Sequence, residues 1–314
     1  MKTSLLLVTT DPRSLGAARM PRSLAEAGFD VSLLAPASAL AQKSGFIART
    51  AHLPESVATR EWIFAFAAMV RGCSPRLVVP GDNATLRLMQ MLVLAPPPEM
   101  NPAIQRELAA LVQESLGEPG GYDPDIAKLS GSVAAITDEG LPALRAERAD
   151  AKRVSYSAVA WKGELLAGYA VETLAGPPAT SGAATVDRSY RSPELRAAAG
   201  RVARELAITG FFAVDFIVDG PDRPFTLVGI GRALRADMHR GSAYNVDPCK
   251  ALFAAMNGVA STTRVDFDDG EERIGVSFPQ EWLRDPDSPW LRDYPVDLPW
   301  EEPELIEAMI AWRG

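Results

Sequence analysis

The chain has 314 residues, of which 47% are hydrophobic and 23% are charged, a balance typical of a soluble globular protein with room for two domains. Its formal net charge of -8 argues against a nucleic-acid partner, because binding to phosphates relies on a basic surface. No stretch approaches the roughly 20 apolar residues of a membrane span, and the N-terminus lacks the apolar core of a signal peptide. We therefore expect a cytoplasmic protein with neither a membrane nor a nucleic-acid partner.

The first 34 residues predict a β-α-β unit. Residues 5–8 and 30–34 are short apolar runs of the kind found in buried parallel strands, and residues 14–27 between them predict a helix that ends at Gly28. The connecting loop, residues 9–16, holds a single glycine. It is therefore a poor cradle for the pyrophosphate of a dinucleotide.

A third strand is predicted at residues 76–80, followed by a turn with Asp82 at its centre and a helix from 84 to 94. Asp82 is well placed to cap that helix. Three consecutive prolines at 96–98 then mark a boundary, because such a run forms a stiff spacer. We predict four units, listed in chain order: residues 1–95, an α/β domain; 96–153, a helical linker; 154–265, a second domain; and 266–314, a Trp-rich tail with a final helix.

Two hairpins are predicted in the second domain. Residues 155–161 and 165–173 flank a Gly-containing turn, and residues 211–218 and 225–230 flank a cluster of turn formers. Side chains alternate along a strand, so Asp215 shares a face with apolar neighbours, and an ionised carboxylate there needs a cation or several donors. Asp215 is either a functional ligand or a strand residue that reaches solvent or an arginine.

The run GFFAVDFIVD at 210–219, with its turn, apolar strand and arginines, resembles the end of an ATP-grasp domain. That fold belongs to ATP-dependent carboxylate-amine and carboxylate-thiol ligases. The resemblance implies an α/β plus α+β architecture: an N-terminal Rossmann-like parallel sheet, called the pre-ATP-grasp domain, followed by a truncated ATP-grasp domain with an antiparallel sheet. The turn at Asp82 resembles the acidic loop that faces the substrate cleft in such domains.

The same resemblance assigns roles to four residues. Asp215 matches an acidic metal ligand, Lys128 matches a basic residue that touches the nucleotide phosphates, and Arg232 and Arg235 are candidates to attract an anion during catalysis. Lys128 is equally well explained as an exposed helix lysine. The family's two further metal ligands, a Glu and an Asn, are replaced in this chain by Gly229 and Gly231, and glycine has no side-chain oxygen.

The chain also departs from the pattern at the nucleotide lid. Only residues 141–154 separate the helical linker from the next strand, which is too short for a multi-stranded lid when strands take about 5 or 6 residues each. The unit 96–153 is therefore predicted to combine the helical linker with a remnant of the nucleotide lid. The sequence therefore favours a degenerate, noncatalytic protein or a metabolite-binding module that takes a small-molecule ligand. No protein partner or homo-oligomer is assigned.

Two alternatives stay open. The first is an active ATP-dependent carboxylate-amine ligase that uses Mg-ATP with a non-standard metal site, in which Asp187, Asp237 or Glu172 stands in for the missing ligands. The second is a nucleotide-sugar or nicotinamide enzyme built on the N-terminal β-α-β unit, against which the glycine-poor loop counts.

Overall fold

The computed structural model describes residues 3–55, 59–98, 100–117, 151–176, 184–218, 225–261, 263 and 272–312. These residues form two β-sheets, one with strands from residues 3–80 and the other with strands from residues 152–297. Lys128 and the interval 141–150, which carry the predicted phosphate contact and most of the predicted lid remnant, lie outside the described residues.

The N-terminal sheet has four parallel strands in the order β3-β2-β1-β4. Its strands are β1 Thr3–Val8, β2 Phe29–Pro36, β3 Arg49–Leu53 and β4 Leu77–Pro80. The run from Leu5 to Val8 is completely buried, as expected for a central parallel strand covered on both faces. The predicted parallel α/β layer is therefore confirmed. Strand β3 was not predicted, because it is an edge strand with mostly exposed or half-exposed side chains.

Four helices pack on this sheet: α1 Leu15–Ala27, α2 Thr59–Cys73, α3 Asn83–Leu94 and α4 Pro102–Leu116. Ser14 caps the start of α1, and Gly28 ends it in a left-handed conformation at φ 111°. Helix α4 falls in the segment predicted as a linker, yet Leu108, Val112 and Leu116 pack into the same core as α2 and α3. The N-terminal layer thus uses residues beyond the three prolines.

The second sheet has seven strands in the order β11-β10-β7-β6-β5-β8-β9. They are β5 Lys152–Trp161, β6 Glu164–Ala175, β7 Val186–Tyr190, β8 Gly210–Val218, β9 Phe225–Gly231, β10 Ile274–Ser277 and β11 Val296–Asp297. All neighbours are antiparallel except β10 and β11. The strands that carry Tyr156, Asp215 and Phe225 share this sheet, which confirms the predicted antiparallel arrangement.

The two faces of the second sheet pack against different partners. Helix α5, Pro193–Glu205, covers the face that carries Tyr156, Phe212 and Val214. The opposite face, with Tyr169 and Phe211, shares one apolar core with β1, β2, α1 and a further helix α6, Pro248–Asn257. Asp215 lies on this second face, because it stands two and four residues from Ala213 and Phe211.

The tail packs back onto both layers. It contains three helices, α7 Gln280–Arg284, α8 Pro289–Asp293 and α9 Pro303–Ala311. Leu305 and Met309 of α9 are buried against Ala18 of α1. Among the tail tryptophans, Trp282 stacks on Phe278 whereas Trp300 is 72% exposed. Across the described ranges, no helix combines the length and the apolar character needed to cross a lipid bilayer.

Candidate functional site

Asp215 lies between two different neighbours on the sheet. In register, Ser155 of β5 is on one side of it and Gly229 of β9 is on the other. Its side chain is 40% exposed, because Gly229 opposite it has no side chain. Among the described residues, a Cβ added at Gly229 would meet only Asp215 itself, at 3.5 Å from Oδ2, and one added at Gly231 would meet nothing within 4 Å. No described residue therefore fills the space beside the carboxylate at the two positions that match further ligands in the family resemblance.

The counter-ion of Asp215 is Arg235, which follows β9. Arg235 Nη1 donates to Asp215 Oδ1 at 2.7 Å, and Ser155 Oγ donates to the same oxygen at 2.5 Å. Arg235 Nε also donates to Asp237 Oδ1 at 3.3 Å. Burial lowers the pKa of Arg235, but the charges of Asp237 and Asp215 outweigh burial and raise that pKa. The structure thus brings two predicted site residues, Asp215 and Arg235, into one ion pair.

Asp237 is held deeper in the same cluster. Its Oδ2 accepts a hydrogen bond from Ser157 Oγ at 3.1 Å, and its backbone oxygen accepts one from Tyr169 Oη at 2.7 Å. Burial raises the pKa of Asp237, yet the adjacent Arg235 charge and the hydrogen bonds lower it overall. Asp237 is therefore ionised at neutral pH and already balanced by a protein cation.

Asp187 and Glu172 are also paired. The Asp187 carboxylate binds both terminal nitrogens of Arg240, at 2.5 and 3.0 Å, and accepts from Tyr244 Oη at 2.6 Å. Glu172 Oε2 accepts from Lys152 at 3.1 Å and from Arg188 at 2.9 Å. Each carboxylate considered as a substitute metal ligand thus has a protein cation as its partner.

These contacts do not fit a magnesium ion bound in the manner of the fold family. Within the described ranges, no group of three His, Cys, Asp or Glu side chains is arranged to hold a metal. Mg²⁺ requires six oxygen ligands in near-octahedral geometry. Here Asp215 already has a cation, and glycine stands at the two neighbouring ligand positions. We therefore route no chemical step through a metal.

Arg232, the other predicted catalytic arginine, is placed differently. Its side chain is only 3% exposed, and Nη2 donates to the backbone oxygens of Leu116 and Thr209, the latter at 3.3 Å. Leu116 is the last residue of α4, where a helix has unsatisfied carbonyl groups that a cation can stabilise. These contacts identify Arg232 as a residue that joins α4 to the second sheet.

The Asp82 carboxylate caps helix α3 and links that helix to the loop after β1. It accepts from the backbone N–H of Thr85 at 2.8 Å, from Thr9 Oγ1 at 2.7 Å and from the backbone N–H of Thr10 at 2.7 Å. It therefore joins the loop after β1 to the start of α3. Burial raises the pKa of Asp82, but these hydrogen bonds outweigh burial and lower it. The capping alternative accounts for its position.

Replacing Asp82 with Ala is expected to reduce the free energy of unfolding by about 1–3 kcal/mol at pH 7, because a cap is lost and several donors lose their acceptor. The folded-state pKa of Asp82 is lowered, so its contribution is complete above about pH 4 and declines as the pH falls through the folded pKa. Urea denaturation of both proteins from pH 7 to pH 3 measures this. A difference that grows in acid would contradict the assignment.

A cleft of about 830 Å³ lies apart from Asp215, between α1, the 3₁₀ helix Met238–Tyr244 and residues 294–299. Its lining includes His239, Arg22 and Tyr294. His239 Nε2 lies 2.6 Å from Asp297 Oδ2. Burial lowers the pKa of His239 despite the charge of Asp297, so the ring is neutral at pH 7. The volume falls in the range of small-molecule sites.

No family model matches the chain, and no curated protein matches it. Solved structures do. A Rhizobium etli pyruvate carboxylase, in a structure with the activator acetyl coenzyme-A, aligns over 87% of this chain at 14% identity with a TM-score of 0.54. The biotin carboxylase domain of a single-chain bacterial carboxylase aligns over 86% of this chain at 13% identity with a TM-score of 0.54. The biotin carboxylase domain of Hydrogenobacter thermophilus 2-oxoglutarate carboxylase, in complex with MgADP and bicarbonate, aligns over 86% of this chain. The identity is 10% and the TM-score is 0.52.

The extent of these matches defines what they show. The chain spans about a quarter of the length of the multidomain carboxylases, with coverage of 28% of the pyruvate carboxylase, but 73% of each isolated biotin carboxylase domain. Biotin carboxylase domains have the ATP-grasp fold. At this level of identity the likeness shows the fold alone, and that fold agrees with the ATP-grasp-like architecture expected from the sequence. Degeneracy, activity and ligands stay predictions.

Proposed function

We propose that this protein is a noncatalytic member of the ATP-grasp fold class. One observation carries the proposal: the carboxylates that would have to hold magnesium, at positions 215, 237, 187 and 172, are each paired with an Arg or Lys of the chain. A ligase of this fold needs Mg²⁺ to bridge and neutralise the nucleotide phosphates. Acidic groups that are already neutralised by protein cations attract such an ion only weakly.

Electrostatics gives the size of the obstacle. Two unit charges 4 Å apart interact by about 4 kcal/mol at an effective dielectric constant of 20. At comparable distances, the repulsion between a divalent cation and the Arg235 guanidinium therefore offsets about the attraction of one carboxylate ligand. Arg235 is mostly buried, and it donates to both carboxylates. Displacing it would leave a charged group without its partners.

The ligase alternative has its own support. Both hydrogen bonds that Asp215 accepts from Ser155 and Arg235 end on Oδ1, and the side chain is 40% exposed. One comparison structure of the same fold contains MgADP. A reactive site would therefore have to bind its metal through Asp215 Oδ2 and ligands supplied by water or substrate.

Mg-ATP is expected to leave the melting temperature of the wild-type protein unchanged. Binding at a hundredfold excess over Kd would stabilise the folded state by about 2.7 kcal/mol, which differential scanning fluorimetry resolves easily. Asp215→Asn is the matched variant, and its own effect on stability should stay within about 1 kcal/mol because the ion pair is partly exposed. Stabilisation of the wild type by Mg-ATP that disappears in Asp215→Asn would favour the ligase instead.

The noncatalytic proposal includes a small-molecule ligand. The cleft beside His239 is large enough for a metabolite, and it does not involve Asp215. A metabolite-binding module with this cleft would need neither Mg²⁺ nor ATP. Titration calorimetry with Mg-ATP and, separately, with a panel of carboxylate metabolites distinguishes the two roles, because a binding module responds only to the panel.

A further inference from the structure

One guanidinium group lies among four oxygen-bearing side chains on the face of the second sheet. Arg235 contacts Asp215 through Nη1 and Asp237 through Nε. Ser155 donates to the first carboxylate and Ser157 to the second. Two carboxylates therefore converge on a single protein cation, and each of them also accepts a hydrogen bond from a serine hydroxyl.

No described residue fills the space beside this cluster along β9. Gly229 is the register partner of Asp215, and Gly231 is two residues further along β9. Within the described part of the chain, a new Cβ at either position would meet no atom closer than 3.5 Å. Close packing against the described residues therefore does not explain why these two positions lack side chains. The sheet here combines two positions without side-chain oxygens on β9 with the positive charge of Arg235.

We propose that Arg235 replaces the divalent cation: its guanidinium is the resident counter-ion of Asp215 and Asp237, and its charge excludes a metal from them. This inference deepens the proposed function and rests on it, since it names the residue that closes the site. Removing the charge of Arg235 leaves two carboxylates with no cation between them. Those carboxylates then attract a hard divalent ion, Ca²⁺ better than Mg²⁺, because Ca²⁺ tolerates irregular oxygen geometry and Mg²⁺ does not.

The test is calcium binding by Arg235→Met, a substitution that removes the charge and keeps an unbranched side chain. We expect titration calorimetry to give a Kd of about 1 mM or tighter for Ca²⁺, the range of weak natural calcium modules, and the melting temperature to rise with calcium concentration. The wild type and Arg235→Lys, which keeps the charge, should show neither effect. Adding Asp237→Asn to Arg235→Met removes one ligand and should abolish binding.

If Arg235→Met does not fold in calcium-free buffer, refolding from urea provides the same information. Recovery of the native circular dichroism spectrum in CaCl₂, but not in KCl of equal ionic strength, supports the inference. Equal failure in both salts overturns it, as does a folded Arg235→Met that ignores calcium. Neither outcome affects the proposed function, which fails separately if the wild type binds Mg-ATP.

Discussion

Replacing Arg240 with Met is expected to reduce the free energy of unfolding by about 3–5 kcal/mol, the usual cost of removing one partner from a buried ion pair. Arg240 and Asp187 have side chains that are 5% and 1% exposed, and they form two hydrogen bonds. Burial already raises the pKa of Asp187 against the pull of the arginine. Without Arg240, that carboxylate must either take up a proton or remain buried and uncompensated.

Urea denaturation monitored by tryptophan fluorescence measures this effect. The control is Arg22→Met, which removes a partly exposed arginine paired with Glu26 and Glu301 and should cost only about 1 kcal/mol, because both glutamates are exposed. Combining Arg240→Met with Asp187→Leu should recover much of the loss, because an apolar pair no longer leaves a buried charge. Equal effects of Arg240→Met and Arg22→Met would show that the pair is not buried as described.

Arg232→Met is the second substitution with a large expected effect, about 2–4 kcal/mol of unfolding free energy. The buried guanidinium donates to the carbonyl groups of Leu116 and Thr209, and an unsatisfied buried polar group costs about 1–3 kcal/mol. Loss of Arg232 would therefore weaken the contact between the end of α4 and the second sheet. Substitution of a residue that serves only in catalysis would have little effect on the free energy of unfolding.

Thermal and urea denaturation of Arg232→Met, with Arg232→Lys as the control, separate the two roles. Lysine retains the charge and can still donate to one of the two carbonyl groups, so we expect an intermediate loss of unfolding free energy. Wild-type stability in Arg232→Met would contradict the structural role and return Arg232 to the candidates for anion binding.

Local sequence patterns predicted most of the central fold. The alternation of side chains from Phe211 to Ile217 correctly placed Asp215 on an otherwise apolar face, and the cluster of turn formers after Val218 correctly separated two antiparallel strands. Buried runs such as Leu5–Val8 identified the parallel sheet. These features depend on residues close together in the chain, and that is why periodicity reveals them.

Contacts between residues that are far apart in the sequence could not be predicted in this way. The sequence left open that Asp215 reaches an arginine, but only the turn after β9 brings Arg235 to it. Strand β7 pairs with β10, more than 80 residues later in the chain, and this pairing makes β7 internal to the sheet. The Asp187–Arg240 pair likewise joins residues far apart in the chain. No local period encodes such pairings.

The same limit explains the assignment of Arg232. The sequence grouped Arg232 with Arg235 as a candidate to attract an anion. In the structure Arg232 is buried against α4, whereas Arg235 reaches the Asp215 carboxylate. Alternation along a strand predicts side-chain direction only while the strand continues. Beyond Gly231, the last residue of β9, that prediction has no physical basis.

The single apolar core shared by the two sheets has a consequence for folding. Leu5, Leu7 and Met20 of the N-terminal layer belong to the same cluster as Tyr169 and Phe211 of the second sheet. If either layer unfolded alone, apolar side chains of the other would become exposed to water. This exposure costs a free energy of about 25 cal/mol per Å² of apolar surface. We therefore expect the two sheets to unfold as one cooperative unit, and a destabilising mutation in one sheet to lower the resistance of the other to proteolysis and hydrogen exchange.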